Sequence, residues 1–448
     1  MQQQQPSASL ERGLSLTQAT AINMIDMVGI GPFITIPFIV GLLQGPMSLL
    51  AWLLGALLAY MDGMVWAEMG AKWPEAGGSY VFLQKLFGNR KWGRLMPFLF
   101  IWQTSIQAPL VVASGAIGFA QYLSFLIPLG DVEKKIVSGS LIILLIILLY
   151  RNIKSIGKIS VLLWFITGGT ILWLIFSGLT IGHFSAAQAF DFHIPKDGFN
   201  ALFFVAVGQA SLKAVYSYLG YYNVCHLGAE IKDPAKNIPR SIFISITGIA
   251  LLYLGMQTTI LGVLPWQSIA ASDFVVSTYF EHIYNHTVAQ VATLLVLCIA
   301  LASLFSVILG YSRIPYAAAK NGDFFAVFAK VHPKYHFPHV SLLALGGLAF
   351  VFSLLFKMKE VITAIIVMRI LIQFVSQAVG VILWHYNKRS DERPYTMPLF
   401  PVPAIVSIAI WLFILFSSEV VYVAFAIGII VVGTVLYLLK ERNTTVQK

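Results

Sequence analysis

Long apolar runs separated by short polar ones dominate the chain. With about 20 residues needed to cross a bilayer as a helix, they predict twelve helical spans: 16–44, 46–71, 93–127, 136–151, 156–181, 199–228, 240–264, 288–313, 339–356, 361–387, 398–417 and 419–440. Two of these are interrupted. Gly29, Gly31 and Pro32 fall at the centre of the first, where glycine weakens a helix and proline lacks an amide proton for the ladder. Open backbone in hydrocarbon is tolerated only when buried in protein or lining a wet cavity. Residues 29–32 are therefore predicted to be a break with freed amides at mid-depth; a kinked packing helix is the alternative. The sixth run repeats the anomaly at Tyr216-Ser217-Tyr218-Leu219-Gly220-Tyr221-Tyr222-Asn223. Interrupted spans one and six, five apart, point to an inverted repeat with a midplane site. The expected segments are a tail (1–15), a first five-span repeat (16–181), an inverted second (199–387), two further spans (398–440) and a tail (441–448).

Composition agrees with this division. Hydrophobic residues are 58% of the 448 and charged ones 11%, too little polar surface to cover a soluble globule. An all-α integral membrane protein is expected, in contact with the lipid bilayer. No cleavable signal is evident, because the leader lacks basic residues and the first run is too long. Cys225 and Cys298 lie inside apolar runs and offer no disulfide framework. The net charge of +10 invites a nucleic-acid partner, but the basic residues fall in short tracts between runs, which topology explains better. With Met1 cytoplasmic, 22 Lys/Arg lie on its side and five (Lys134, Lys135, Lys196, Lys357 and Lys359) on the other. That asymmetry predicts both termini inside, and a plasma (inner) membrane is the expected location.

Ionisable groups at membrane depth are candidates for function. Asp26, Asp62, Lys213 and Arg369 make two acids and two bases, so mutual neutralisation is possible. Asp26, three positions before Gly29, could hold an ammonium, take a proton, or pair with Arg369 or Lys213. Arg369 has Gln373 and Gln377 one and two turns on, and is a gate, a carboxylate contact or a structural partner. Glu68, nearer the cytoplasmic end, suits an inner gate or packing. The amides of Gly29, Ile30 and Gly31 open the second half-helix and present a positive end to a carboxylate. Carbonyls around Tyr216, Ser217, Tyr218 and Leu219 can take an ammonium. Ser303 and Ser306 could give hydroxyls to sodium, a hard cation. The histidines form no metal-spaced set inside a span, and no GxSxG, HExxH or phosphate loop appears. Neither an enzyme nor a resident cofactor or metal is expected; His332–His339 reads as structural, and Asn285-His286-Thr287 is a formal glycosylation sequon.

Gly29-Ile30-Gly31-Pro32-Phe33, Glu68 with Pro74-Glu75-Ala76-Gly77-Gly78-Ser79-Tyr80, Gly220-Tyr221-Tyr222 with Glu230 and Asp233 to Arg240, and Ser312 to Gly322 resemble four ordered motifs of the amino acid–polyamine–organocation superfamily. The resemblance implies a leucine-transporter-type fold, with five-plus-five inverted spans and two more, moving amino acids or related amines by alternating access. In relatives the third span lines the pocket, which makes Gln103 and Gln107 candidates for selectivity, with an interhelical hydrogen bond as the alternative. Tyr216, Tyr218, Tyr221 and Tyr222 would wall or gate the pocket, about half of them merely packing. Some proton-coupled relatives carry a fifth-span lysine; Thr167 or Gly168 stands there here. Asp26 or Asp62 would then be the protonatable group, or the protein exchanges substrates. A polyamine or organocation carrier and a non-transporting receptor on the same fold are the alternatives. Substrate, coupling ion and oligomeric state stay open.

Overall fold

The computed structural model describes residues 10–88, 93–192, 198–355, 358–387 and 392–446. Lys196, Lys357 and His193, with the start of the first tail and the end of the last, lie outside these. The described chain is helical, with two isolated β-bridges and no strand.

The first predicted run becomes two helices, α1 (Leu16–Met27) and α2 (Gly31–Leu43), bent by 45°. Ser15 and Gln18 cap α1 reciprocally as a capping box, and Pro32 sits in the first turn of α2, where a missing amide proton costs nothing. There follow α3 (Ser48–Lys72), α4 (Ser79–Phe87), α5 (Leu95–Leu123), α6 (Asp131–Leu149), α7 (Ile153–Thr180) and the short α8 (Ala186–Ala189). The sixth run gives α9 (Ala201–Tyr218) and a single turn, α10 (Asn223–His226). Next come α11 (Pro234–Val263), α12 (Trp266–Ala270), α13 (Val275–Ile283), α14 (His286–Tyr311) and α15 (Arg313–Lys320). The last five are α16 (His339–Leu355), α17 (Met358–Arg369), α18 (Ser376–Asn387), α19 (Val402–Ser417) and α20 (Val420–Val446). Asn285 caps α14 by accepting from the Val288 amide at 3.0 Å, which gives the sequon asparagine a structural role.

Among the described residues, seven helices are long and apolar enough to cross a membrane, and up to eight if the bent α1–α2 pair is one span. The runs predicted at 339–356 and 398–417 form the shorter apolar helices α16 and α19. Two predicted spans are not continuous α-helices, and in the sixth the break falls where Gly220 led it to be expected. Residues 199–228 are not helical throughout: α9 stops at Tyr218, and beyond the turn only α10 and a 3₁₀ turn at Gly228–Glu230 remain. Nor is 361–387 one α-helix, because Ile370–Val375 between α17 and α18 is π-helical; a local change of helical pitch leaves no hydrophobic-pattern signal.

Helix α3 packs against α9, α11 and α19, while α1 packs against α7, α11 and α14. Exposed apolar side chains lie elsewhere, as with Leu162, Phe165 and Phe176 on α7 and Val431 and Val435 on α20. Those surfaces suit lipid rather than water.

Candidate functional site

The two helix breaks meet. Gly220 takes φ +126°, and a Cβ there would come within 2.7 Å of the Met27 amide nitrogen and 3.0 Å of Asp26 Cβ, so only glycine permits the crossing. The Tyr253 hydroxyl lies 2.8 Å from the Met27 carbonyl and 3.1 Å from that of Ser217, joining the ends of α1 and α9. At the first break Val28 donates back to Met24, and the next backbone bond runs from Ile34 to Ile30. Among the described residues the amides of Gly29, Ile30 and Gly31 make no backbone hydrogen bond. Gly29 abuts the Ser303 hydroxyl, and Gly31 the ring of Tyr216.

These elements surround a central cavity of about 70 Å³, room for several waters at roughly 10–15 Å³ each and so for the charged ends of a small solute. Of the predicted residues, Asp26, Gly29, Ile30, Gly31, Tyr216, Ser217, Gly220, Tyr222, Ser303 and Arg369 line it. The Asp26 carboxylate forms neither a hydrogen bond nor an ion pair among the described residues; only the backbone carbonyl of this residue is engaged, by Ser303. Arg369 donates through Nε to Gln373 Oε1 at 2.7 Å and through Nη2 to the Tyr222 hydroxyl at 2.5 Å. Its guanidinium stands over the rings of Tyr222, Phe374 and Tyr311, with centroids 5.2, 5.1 and 5.9 Å away, and a planar cation on aromatic faces is favourable. A wider recess of about 820 Å³, with Ile34, Phe38, Gln121 and Lys134 among its lining, lies further along α2 and α5.

Other predicted residues are held away from the cavity. Asp62 accepts from Trp66 Nε1 at 2.8 Å, the Tyr221 hydroxyl at 2.5 Å and Ser407 Oγ at 3.1 Å, which turns Tyr221 outward as well. Tyr218 packs edge-on against Trp52 and Tyr253. Lys213 donates to Thr363 Oγ1 at 3.0 Å. Glu68 accepts from the Met397 amide at 3.1 Å and sits 2.6 Å from His385 Nε2, tying α3 to the segment before α19. Mutual neutralisation is not realised: among the described residues Asp26, Asp62, Lys213 and Arg369 form no ion pair with one another. Gln103 and Gln107 are buried one to two turns from the α5 residues that do reach the cavity, Val111 and Gly115. Neither nitrogen of that pair has a hydrogen-bond partner among the described residues, so the alternative of an interhelical bond donated by either amide is not realised.

Ser303 donates to the Asp26 carbonyl at 3.2 Å and Ser306 to that of Ile22 at 2.8 Å. Asn223 Nδ2 reaches Ser306 Oγ at 2.8 Å. A sodium ion there would meet oxygens of the type it prefers, but each hydroxyl already serves to bind α14 to α1. Sequence reasoning missed Tyr311. Its signal was the stripe Ser303, Val307, Tyr311 at four-residue spacing, all on the cavity side of α14.

The geometry defines a class: a multi-pass helical membrane protein with a polar cavity at the crossing of two broken helices. The chain belongs to the amino acid permease family, whose profile matches residues 14–438, and thus to transporters rather than enzymes. It is similar to human cationic amino acid transporter 4, 26% identical over 415 residues, covering 88% of this chain and 62% of that protein. The Bacillus subtilis serine/threonine exchanger SteT is 24% identical over 414 residues, 91% of each chain. The branched-chain amino acid permease BcaP of the same organism is 22% identical over 453 residues, covering 97% of this chain and 94% of that one.

Proposed function

We propose that the protein carries amino acids across the plasma membrane by alternating access, with the substrate bound at the crossing of the two breaks. One observation carries this: unbonded amides at Gly29–Gly31, a free carboxylate at Asp26 and a cation at Arg369 converge on one cavity. The amides of α2 and Arg369 attract a carboxylate, and Asp26 with the carbonyl ends of α1 and α9 attracts an ammonium. Tyr216, Ser217 and Tyr222 complete the wall. The helices are read as twelve spans, five plus five inverted and two more, with both termini cytoplasmic. The basic-residue asymmetry and the pairing of breaks in runs one and six support that arrangement. Asp26 is read as the coupling group, charged or protonated according to the cargo; Asp62, Lys213 and Glu68 serve the packing and gating around it.

The relatives' names span cationic, hydroxylated and branched-chain amino acids, so substrate choice rests on the cavity's own chemistry. Purified protein in proteoliposomes should accumulate or exchange at least one member of a panel of labelled L-alanine, L-glutamate and L-lysine. Binding of these without any flux would instead make it a receptor. Uptake that disappears when sodium is replaced by choline would move the coupling site from Asp26 to the Ser303–Ser306 oxygens.

A further inference from the structure

The cavity wall carries one charge that can change and one that cannot. Arg369 keeps its proton at any physiological pH, whereas the Asp26 carboxyl is neutral or negative. Around Asp26 the facing groups are Arg369 from α17, Tyr216 from α9, Tyr222 from the turn after it and Tyr311 from α14. Tyr253 from α11 is engaged by the Met27 and Ser217 carbonyls, and His226 on α10 lies behind Tyr222 and Tyr311. Neither α7 beyond Lys158 nor α11 beyond Arg240 carries an acid or base. Asp62 stands off the wall, supplied with three donors. The side chains of the wall therefore sum to zero or to +1, never to −1.

From this asymmetry we infer that the site selects by total charge: it takes neutral amino acids with Asp26 ionised, takes acidic amino acids together with one proton on Asp26, and rejects cationic ones. A zwitterion leaves the neutral wall neutral. An anionic side chain, drawn to the Arg369 guanidinium that lines the cavity, leaves the occupied cavity neutral only if Asp26 gains a proton, so the proton enters with the cargo. A lysine or arginine side chain adds a positive charge that no wall group can offset, and an uncompensated buried charge is strongly unfavourable. The inference rests on the transport reading above and narrows its substrate.

Proteoliposomes containing the full chain test it with labelled L-alanine, L-glutamate and L-lysine, with and without an inward proton gradient. Expected results are alanine and glutamate uptake, glutamate accumulation driven by the gradient with one proton per molecule, and exclusion of lysine by on the order of 100-fold or more. Asp26→Asn fixes the wall at +1, so glutamate flux should persist without pH dependence while alanine weakens. Arg369→Gln leaves a wall of zero or −1, so lysine should gain transport as glutamate loses it. This gain guards against a variant that merely fails to fold. Lysine flux equal to alanine flux in the wild type, or glutamate flux without proton movement, overturns the inference and leaves the transport reading intact. Flux of none of the three by well-folded protein overturns the transport reading instead.

Discussion

Two acid–arginine couples in this protein are built to opposite ends. Glu230 and Arg313 are buried and joined in a fork, Nε to Oε2 at 2.9 Å and Nη2 to Oε1 at 2.8 Å. Arg313 Nη1 also donates to the Leu309 carbonyl at 3.1 Å and Ser312 Oγ at 2.9 Å. The Glu230 backbone carbonyl in turn accepts from Gly13 and Leu14, so the pair holds the N-terminal segment, the end of the second break and α14–α15 together. Asp26 and Arg369 share a cavity but not an ion pair, and the Asp26 carboxylate has no hydrogen-bond partner among the described residues. Satisfied charges fasten elements to one another, while charges left partly open across a cavity are available to a solute.

The largest test of that contrast is Glu230→Gln, which strands a buried guanidinium and should cost about 3–5 kcal/mol, read as a collapse of thermal stability in detergent. Asp26→Asn removes no protein partner and should leave the melting temperature within a few degrees of wild type while changing transport; equal losses in both variants would erase the distinction. Gly29→Ala forces a methyl into the Ser303 hydroxyl, 2.6 Å from the Cβ position, and should weaken substrate binding about tenfold or more in a competition assay. Tyr253→Phe removes the hydroxyl between the breaks and should cost about 1 kcal/mol, with loosening seen as faster amide exchange near Met27 and Ser217. The smallest effect belongs to Gln103→Leu. Neither amide atom of Gln103 has a protein partner, so an apolar side chain of similar size should be neutral or mildly stabilising in the same thermal assay.

Much of this was legible in the chain. Gly29, Gly31 and Pro32 within an apolar run announced the first break, because backbone without partners cannot face lipid. Gly220 among hydroxyls announced the second. Asp26 and Arg369 stood out because charge at membrane depth needs a reason. The tyrosines were not separable by sequence: Tyr216 and Tyr222 face the cavity, while Tyr218 and Tyr221 turn to Trp52 and Asp62. Tyr216 and Tyr218 are set by the rotation of α9, and beyond its end at Tyr218 the path of the turn rather than a fixed period decides where the rings of Tyr221 and Tyr222 point.

The sequence by itself determined the class of the protein, the places where its helices must open and which side chains carry charge, since all three follow from local apolarity and backbone chemistry. Tertiary structure alone decided which charges meet. It gave Asp62 three donors, set Lys213 against Thr363, placed Gln103 and Gln107 away from the cavity, and left Asp26 facing Arg369 without a bond. Those outcomes depend on helix rotation and crossing, which residues far apart in the chain fix together through packing.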